Sequence, residues 1–463
     1  MTDRRSFICQ SAALLGTFAL HQNFAAAFPE IQEQTSFADN DAGLPAIANN
    51  DVGKPAIADN DAGLPAIANN DAGKPAFAKA TAGKYDDFWR QIRQAYAASP
   101  NIINLNNGGV CPSPRATMDA LDYYNRMCGE APSYYMWRIL DQDREPLREN
   151  LAALAGVSPD EIAINRNTTE ALNTIIFGLN LNAGDEVVVS KYDYPNMLNA
   201  WRQREKRDGI KLVWVDLDLP STDEDYLTNA YTEKFSSKTR IVHITHIINW
   251  NGQILPARRI ADEAHKRGAE VVVDAAHSFS VLDYKIPELD CDYWGTSLHK
   301  FMCGPLGSGM MWIRKEKIAG IWPLLSSPET NSADIRKFEN LGTRSFPVEM
   351  AIGYSLDLHN MIGSQRKQER LHFLKNYWMS QVKDVPGIKF YTSPDPKWSC
   401  AIGNFGLEGK KPGEISETLF NKYKIHTVSI EWEKISGVRV TPNVYTTTEE
   451  LDKLVKAIRG MRV

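Results

Sequence analysis

The segment Asp292-Tyr-Trp-Gly-Thr-Ser297-Leu-His299-Lys300 decides the fold. It opens as an apolar run typical of a buried strand and ends on a histidine and a lysine. A glycine-rich turn over residues 304–309 follows and leads into a second apolar run, Met310–Ile313. A lone lysine is usually a surface residue, but this context predicts that the Lys300 amine stands at the end of a strand.

Outward from this segment, short apolar runs alternate with helical patterns. The runs are Glu186–Ser190, Lys211–Val215, Arg240–Thr245 and Glu270–Asp274. Between the last two, the stretch 257–268 has apolar residues on one face and charged residues on the other, and Gly268 is placed to end the helix. This alternation is typical of a mostly parallel sheet covered by helices on both faces. The sequence therefore predicts an α/β fold with ligands at the carboxyl ends of the strands.

Two further segments reach the same predicted edge of the sheet. Asp274-Ala-Ala-His277-Ser278 directly follows a predicted strand, although an acid there often only caps the next helix. Asn165-Arg-Asn167-Thr168-Thr169-Glu170 precedes a helical pattern over residues 171–179, and Asn167 with Glu170 is a capping-box variant. Two hydroxyls and free N–H groups at a helix start suit a phosphate, though a simply capped helix is the plain alternative.

Together the three segments meet the needs of pyridoxal phosphate. The aldehyde of that cofactor needs an amine, its ring nitrogen needs a carboxylate, and its phosphate needs hydroxyls and amides. Lys300, Asp274 and the pair Thr168 and Thr169 supply these groups at one predicted crevice. The sequence therefore predicts a pyridoxal-phosphate enzyme.

Residues 292–309 resemble the lysine signature of class V aminotransferase-like enzymes, and the resemblance runs from about Asn104 to Arg439. Within that class the chain is most similar to the isopenicillin N epimerase-like branch, through Leu105-Asn-Asn-Gly-Gly109 and Val438–Thr446. The resemblance implies fold type I of the pyridoxal-phosphate enzymes. We expect a large cofactor-binding domain over residues 85–345 and a smaller α+β domain over residues 346–463.

The resemblance also implies roles around the cofactor. Lys300 would form the Schiff base and then shuttle the Cα proton, and Asp274 would pair with the pyridine nitrogen. His277 and Asn249 would lie near the ring hydroxyl oxygen. The implied phosphate-binding residues are Thr168, Thr169, Ser297 and His299.

Three more roles follow from the same resemblance. Tyr194 matches the position of the aromatic residue that stacks on the cofactor ring, with the neighbouring Asp193 leaving the register open by one residue. Thr343 lies in a segment, 339–344, that resembles the one reaching the partner's cofactor phosphate in a homodimer; a glycine turn without that role is the alternative. Arg439 would bind the substrate's α-carboxylate, which a planar guanidinium holds with two parallel hydrogen bonds.

The cofactor does not decide the reaction. Epimerisation or racemisation, transamination and β-elimination remain open, because residue identity does not separate them. Cysteine desulfurases of the class carry a reactive cysteine ahead of the C-terminal arginine, whereas residues 424–439 contain none and Cys400 lies too far upstream. A desulfurase is therefore less expected, as is a pseudoenzyme, since the whole lysine, aspartate, histidine and threonine set is retained.

Two aromatic segments have open roles. Tyr134-Tyr135-Met136-Trp137-Arg138 either lines the substrate pocket or belongs to the core, and Glu431-Trp432-Glu433 either faces the substrate or forms a solvated turn.

The N-terminal region is not predicted to be part of the fold. Residues 1–27 have paired arginines at Arg4 and Arg5, an apolar stretch and the small-residue site Ala25-Ala26-Ala27, which resembles a twin-arginine export signal. Residues 28–84 carry a repeated decamer with Gly and Pro in each copy and too few large apolar residues for a core. We expect an exported, periplasmic or secreted protein whose residues 28–84 form a disordered tether.

The composition of the 463-residue chain limits the kinds of partner that it is expected to bind. It has 52 basic and 57 acidic residues, a formal net charge of −5, which argues against nucleic-acid binding. The chain has no run of 18 apolar residues, so no membrane-spanning helix is predicted. Six scattered cysteines without a Cys-x-x-Cys pair exclude a disulfide-dense scaffold and a clustered-cysteine zinc site, and we predict no metal ligands. The expected partners are a small amino-acid substrate and a second copy of the chain.

Overall fold

The structure is a computed structural model that describes residues 82–461. The predicted export signal and the predicted tether up to residue 81 lie outside the described residues. The first described element is the helix Ala82–Gln94, which begins three residues ahead of the expected domain start at residue 85. Within the described part, no helix is both long enough and apolar enough to cross a lipid bilayer.

Strands and helices alternate along most of the described chain. The strands are β1 Ile103–Asn104, β2 Ile162–Asn165, β3 Glu186–Ser190, β4 Lys211–Val215, β5 Thr239–Thr245, β6 Glu270–Asp274, β7 Tyr293–Ser297, β8 Gly309–Ile313, β9 Ile388–Phe390, β10 Gly403–Leu407, β11 Ile425–His426, β12 Val428–Trp432 and β13 Ile435–Val440. The longer helices after Ala82–Gln94 are Arg115–Glu130, Arg144–Ala155, Thr168–Gly178, Pro195–Asp208, Glu224–Thr232, Ala257–His265, Phe346–Ile362, Ser364–Val382, Pro412–Tyr423 and Thr448–Gly460. Residues Tyr135–Leu140 form a π-helix.

Within the described residues, the larger sheet has seven strands in the order β2-β8-β7-β6-β5-β3-β4. Strands β3 to β7 pair in parallel, while β8 runs antiparallel to both of its neighbours. Apolar clusters cover both faces of this sheet. The predicted mostly parallel, helix-covered sheet is confirmed. Its register sets Thr245 beside Asp274 and Asp274 beside Gly295, so the carboxyl ends of β5, β6 and β7 meet at one edge.

Two glycines let the helix Thr168–Gly178 approach the sheet closely. A Cβ on Gly295 would lie 2.9 Å from the side chain of Leu172, and a Cβ on Gly309 would lie 2.6 Å from the backbone of Asn167. Real Cβ atoms do not come this close to backbone atoms, so the second contact requires glycine. The start of this helix is thereby held against the strands that end near Lys300.

A separate antiparallel sheet, β12-β13-β10-β9, forms the smaller domain and confirms its predicted α+β character. Its core includes Trp378, Phe405 and Leu454. Strands β1 and β11 pair in parallel as a separate two-stranded sheet, which fastens the N-terminal segment to the smaller domain. The helix Phe346–Ile362, placed by the expected boundary in the smaller domain, buries its residues Ile352 and Leu356 in a core cluster of the larger sheet.

Candidate active site

A cavity of about 210 Å³ lies at the carboxyl edge of the larger sheet. It gathers most of the predicted cofactor-binding residues, namely Thr168, Thr169, Tyr194, Asn249, Asp274, His277, Ser297, His299 and Lys300. Gly109, Met197 and Thr245 also line it. The predicted residues outside this lining are Arg439, which lies beside it, and Thr343, which is exposed on the loop after the short helix Ile335–Glu339.

One end of the cavity is the start of a helix. Asn167 is the N-cap, and its side chain accepts from the Glu170 N–H at 2.9 Å. The Glu170 carboxylate does not return to Asn167, because it accepts from the Arg166 N–H at 2.7 Å and from the Arg166 guanidinium. The prediction of a capping box is therefore only half right. Thr168 contacts Ser297 twice, through its N–H at 2.9 Å and its hydroxyl at 2.7 Å, and so joins the helix start to the end of β7.

The carboxylate of Asp274 is buried and has a backbone N–H as its hydrogen-bond donor. Asp274 ends β6, and its Oδ1 accepts from the Ala276 N–H at 2.9 Å. Burial raises the pKa of Asp274, and the Ala276 N–H and the charge of Lys300 only partly oppose that rise. Among the described residues Asp274 forms no ion pair. A protonated ring nitrogen would supply the missing cation.

Lys300 and His277 lie next to each other in the cavity lining. The Lys300 Nζ lies 3.4 Å from the His277 Nε2 and 6.0 Å from the centre of the Tyr194 ring. Burial lowers the pKa of Lys300 to about 8, with Asp274 opposing the change and Arg439 adding to it. The His277 Nε2 lies 2.8 Å from the Gly108 carbonyl oxygen, which only accepts, so this nitrogen carries the proton. Burial and the charge of Lys300 also lower the pKa of His277, so its ring stays neutral.

The structure separates Tyr194 from Asp193. Tyr194 precedes the helix Pro195–Asp208, is 39% exposed and lines the cavity. Asp193 is buried, and its two oxygens accept from the Thr245 hydroxyl and the Ser190 N–H, both at 2.7 Å. Burial raises the pKa of Asp193 to about 7. The structure therefore settles the register that the sequence left open. The ring of Tyr194, and not the carboxylate of Asp193, lies in the cavity.

Arg439 is buried on β13 with neutral partners only. Its Nη1 donates to the Asn249 carbonyl oxygen at 3.0 Å and its Nη2 donates to the Asn106 Oδ1 at 2.9 Å. In the part of the chain that the structure describes, neither its buried Nε nor the buried Asn249 Oδ1 has a hydrogen-bond partner. Burial lowers the pKa of Arg439 to about 10. No carboxylate of the described residues pairs with it, so the guanidinium can still receive an anion.

The sequence by itself indicates no role for residues 106–109. The N-terminal segment pairs with the smaller domain, where Asn106 forms an isolated β-bridge with Thr441. This pairing brings Asn106, Gly108 and Gly109 to the site. The motif that contains them carries a family resemblance but no chemical group that points to a site. A run of small and amide residues between two apolar ones is too common a signal to indicate a site by itself.

The segments with open roles lie away from the cavity. Tyr134 and Trp137 are 56% and 50% exposed, whereas Met136 between them is buried in a core cluster with Leu140 and Phe346. None of the three lines the cavity. Trp432 stacks on Trp250 at 4.7 Å between ring centres and donates to the Lys191 carbonyl oxygen. The two flanking glutamates, at 431 and 433, are exposed.

Comparison with known proteins identifies the family. The aminotransferase class V family matches residues 103–454, and the chain belongs to that family. It is 27% identical over 391 residues to the isopenicillin N epimerase of Streptomyces clavuligerus, covering 81% of this chain and 98% of that one. It is 26% identical over 387 residues to a probable cysteine desulfurase of Synechocystis, covering 78% and 90% of the two chains.

Solved structures show the same fold. A C-DES mutant with glycine covalently linked to its pyridoxal phosphate superposes with a TM-score of 0.72 at 20% identity, covering 79% of this chain and 98% of that one. The predicted fold type I and the resemblance to class V enzymes are both confirmed. The cofactor is pyridoxal phosphate.

The cavity fits this cofactor. Among the described residues the buried Asp274 forms no ion pair. The helix start offers the Thr169 hydroxyl and N–H, beside the Thr168 hydroxyl, for a phosphate, and the Lys300 amine has a lowered pKa. The buried Asn249 Oδ1 has no hydrogen-bond partner among the described residues. These open groups surround one space and match the three ends of the cofactor.

Proposed function

We propose that the protein is an epimerase or racemase, or an aminotransferase, that acts at Cα of an amino acid or of a small molecule containing one. Arg439 carries this proposal: its buried guanidinium lies close to Lys300 and Asn249, and no acidic side chain of the described residues pairs with it. An amino-acid carboxylate would complete its hydrogen bonds. The bound cofactor withdraws electrons from Cα, which makes the Cα proton acidic.

In this proposal the chain's own residues bind, orient and move a proton. Thr168, Thr169, Ser297 and His299 hold the phosphate, and Asp274 keeps the ring nitrogen protonated. Tyr194 covers the ring, and His277 and Asn249 hold its hydroxyl oxygen. Lys300 holds the cofactor and then moves the Cα proton, since its lowered pKa leaves a large neutral fraction near pH 8. Arg439 fixes the carboxylate and thereby the orientation of Cα.

The cysteines favour this proposal over desulfuration. Cys111, Cys128, Cys291, Cys303 and Cys400 are all buried, and none of these described cysteines lines the cavity. Residues 424–439 contain no cysteine that could take sulfur from a substrate. Since desulfurases are among the relatives, this alternative needs a direct test.

The test is incubation of the cofactor-loaded protein with a panel of L- and D-amino acids in deuterated water. Deuterium at Cα with inverted configuration and no keto acid indicates epimerisation, and a keto acid with pyridoxamine phosphate indicates transamination. Pyruvate and ammonia without pyridoxamine phosphate would indicate β-elimination, and sulfide from cysteine would indicate desulfuration. Either of these last two results would refute the proposal. The Lys300→Ala variant is the control for uncatalysed exchange.

A further inference from the structure

We propose that Asn106 is a positioning residue for the substrate carboxylate: its side-chain oxygen holds the Arg439 guanidinium in place and, being neutral, leaves the positive charge of Arg439 available to an anion. The inference rests on the proposed function, in which Arg439 receives the carboxylate. Asn106 itself need not touch the substrate.

The surroundings of Asn106 hold it from several sides. Its N–H donates to the Asn104 Oδ1 at 3.1 Å, and its carbonyl oxygen accepts from the Gly109 N–H at 3.1 Å. Its Nδ2 lies 3.5 Å from the His426 Nε2, on the neighbouring strand β11. The side-chain oxygen is then the atom that faces the Arg439 Nη2, at 2.9 Å.

Arg439 has little freedom to move once this bond forms. Its Nη1 is fixed by the Asn249 carbonyl oxygen at 3.0 Å, and a Cβ on Gly108 would lie 3.4 Å from the guanidinium carbon. The guanidinium therefore lies between the 106–109 segment and Asn249, with Asn106 at one end. Loss of the Asn106 oxygen would leave Nη2 without its acceptor and free the guanidinium to tilt.

Arg439 differs from other buried arginines of the chain because its side-chain partner, Asn106, is neutral. Arg144 and Arg148 both form ion pairs with the buried carboxylate of Glu339, at 2.6 Å. An aspartate at position 106 would give Arg439 a similar ion pair and would compete with the carboxylate of a ligand. An amide keeps the hydrogen bond and avoids that competition.

A probe that needs no knowledge of the substrate can test this. Aminooxyacetate captures the cofactor and carries a carboxylate, whereas aminooxyacetamide captures it without a charge. The measurement is the ratio of their second-order capture rates, followed by the loss of the cofactor's visible absorbance. The wild-type protein is expected to prefer the acid. Asn106→Asp should reduce this preference by roughly tenfold or more, and Asn106→Ala should reduce it less, because Arg439 keeps its charge.

The control variant is Asn101→Asp, which adds the same charge at an exposed position five residues earlier and should leave the ratio unchanged. If Asn106→Asp does not fold, Asn106→Ala still tests the positioning role through the same ratio. The inference is overturned if the wild-type preference is lost in Arg439→Lys but kept in both Asn106 variants. A wild-type ratio near one that Arg439→Lys does not change would instead refute the proposed role of Arg439.

Discussion

The lowered pKa of Lys300 predicts how fast the cofactor-free protein captures pyridoxal phosphate at different pH values. Only the neutral amine attacks the aldehyde. Burial is the main cause of the shift, the charge of Arg439 adds to it, and the carboxylate of Asp274 opposes it. The capture rate should therefore rise as the pH rises and level off above about pH 8.

The size of the effect follows from the two pKa values. A fall from 10.5 to about 8 corresponds to about 3 kcal/mol against the protonated amine. At pH 8 about half of the Lys300 amines would be neutral, compared with roughly 0.3% of ordinary lysines. At that pH the neutral fraction of the Lys300 amine should exceed that of an exposed lysine by a factor on the order of 10².

The assay is stopped-flow absorbance of the lysine-linked cofactor between pH 6 and pH 10. The reaction of pyridoxal phosphate with α-N-acetyl-lysine over the same range corrects for titration of the cofactor itself. Asp274→Asn removes the charge that raises the pKa of Lys300, so its midpoint should move to lower pH. A corrected midpoint near pH 10, or a midpoint that rises in Asp274→Asn, would refute the reasoning.

The remaining predictions concern the lysine, the helix start and the assembly. Lys300→Ala should bind the cofactor without a covalent bond and lose activity by several orders of magnitude, seen as no borohydride-stable adduct in the mass spectrum; full turnover would contradict the assignment. Gly309→Ala should push against Asn167, lower the melting temperature by several degrees and weaken cofactor binding roughly tenfold, whereas Gly320→Ala, with open space around it, should do neither. Light scattering should give twice the 51.9 kDa chain mass, since Thr343 is proposed to reach a partner's cofactor, and an active monomer would rule that out.

The central strands could be predicted closely from the sequence. The bounds of Glu186–Ser190, Lys211–Val215 and Glu270–Asp274 are those predicted, because strands buried on both faces are continuous apolar runs. Helix ends were less accurate. The last regular residue of the helix predicted over residues 257–268 is His265, but Gly268 closes it as predicted: Gly268 is left-handed, φ +73°, and the N–H groups of Gly268 and Ala269 donate to the carbonyl oxygens of His265 and Ala264.

The cavity lining could be predicted because each of its segments directly follows a strand or begins a helix. Asp274 and Lys300 belong to this group. Asn106 does not, because it reaches Arg439 through the pairing of β1 with β11, whose strands are more than three hundred residues apart in the chain. A pairing between strands so far apart along the chain leaves no pattern in the sequence near either strand. The sequence also did not indicate that Asp193 is bound by Thr245, since that contact depends on the arrangement of two strands.

Two groups of buried charges in the described residues show opposite behaviour. Arg144 and Arg148 share the carboxylate of Glu339, so the protein itself completes their ion pairs. Asp274 and Arg439 have only neutral protein partners, although leaving a buried charge unpaired costs several kcal/mol. A fold tolerates such a cost where a ligand supplies the missing charge. The unpaired carboxylate lies where the cofactor ring nitrogen is expected, and the unpaired guanidinium lies where a substrate carboxylate is proposed to bind.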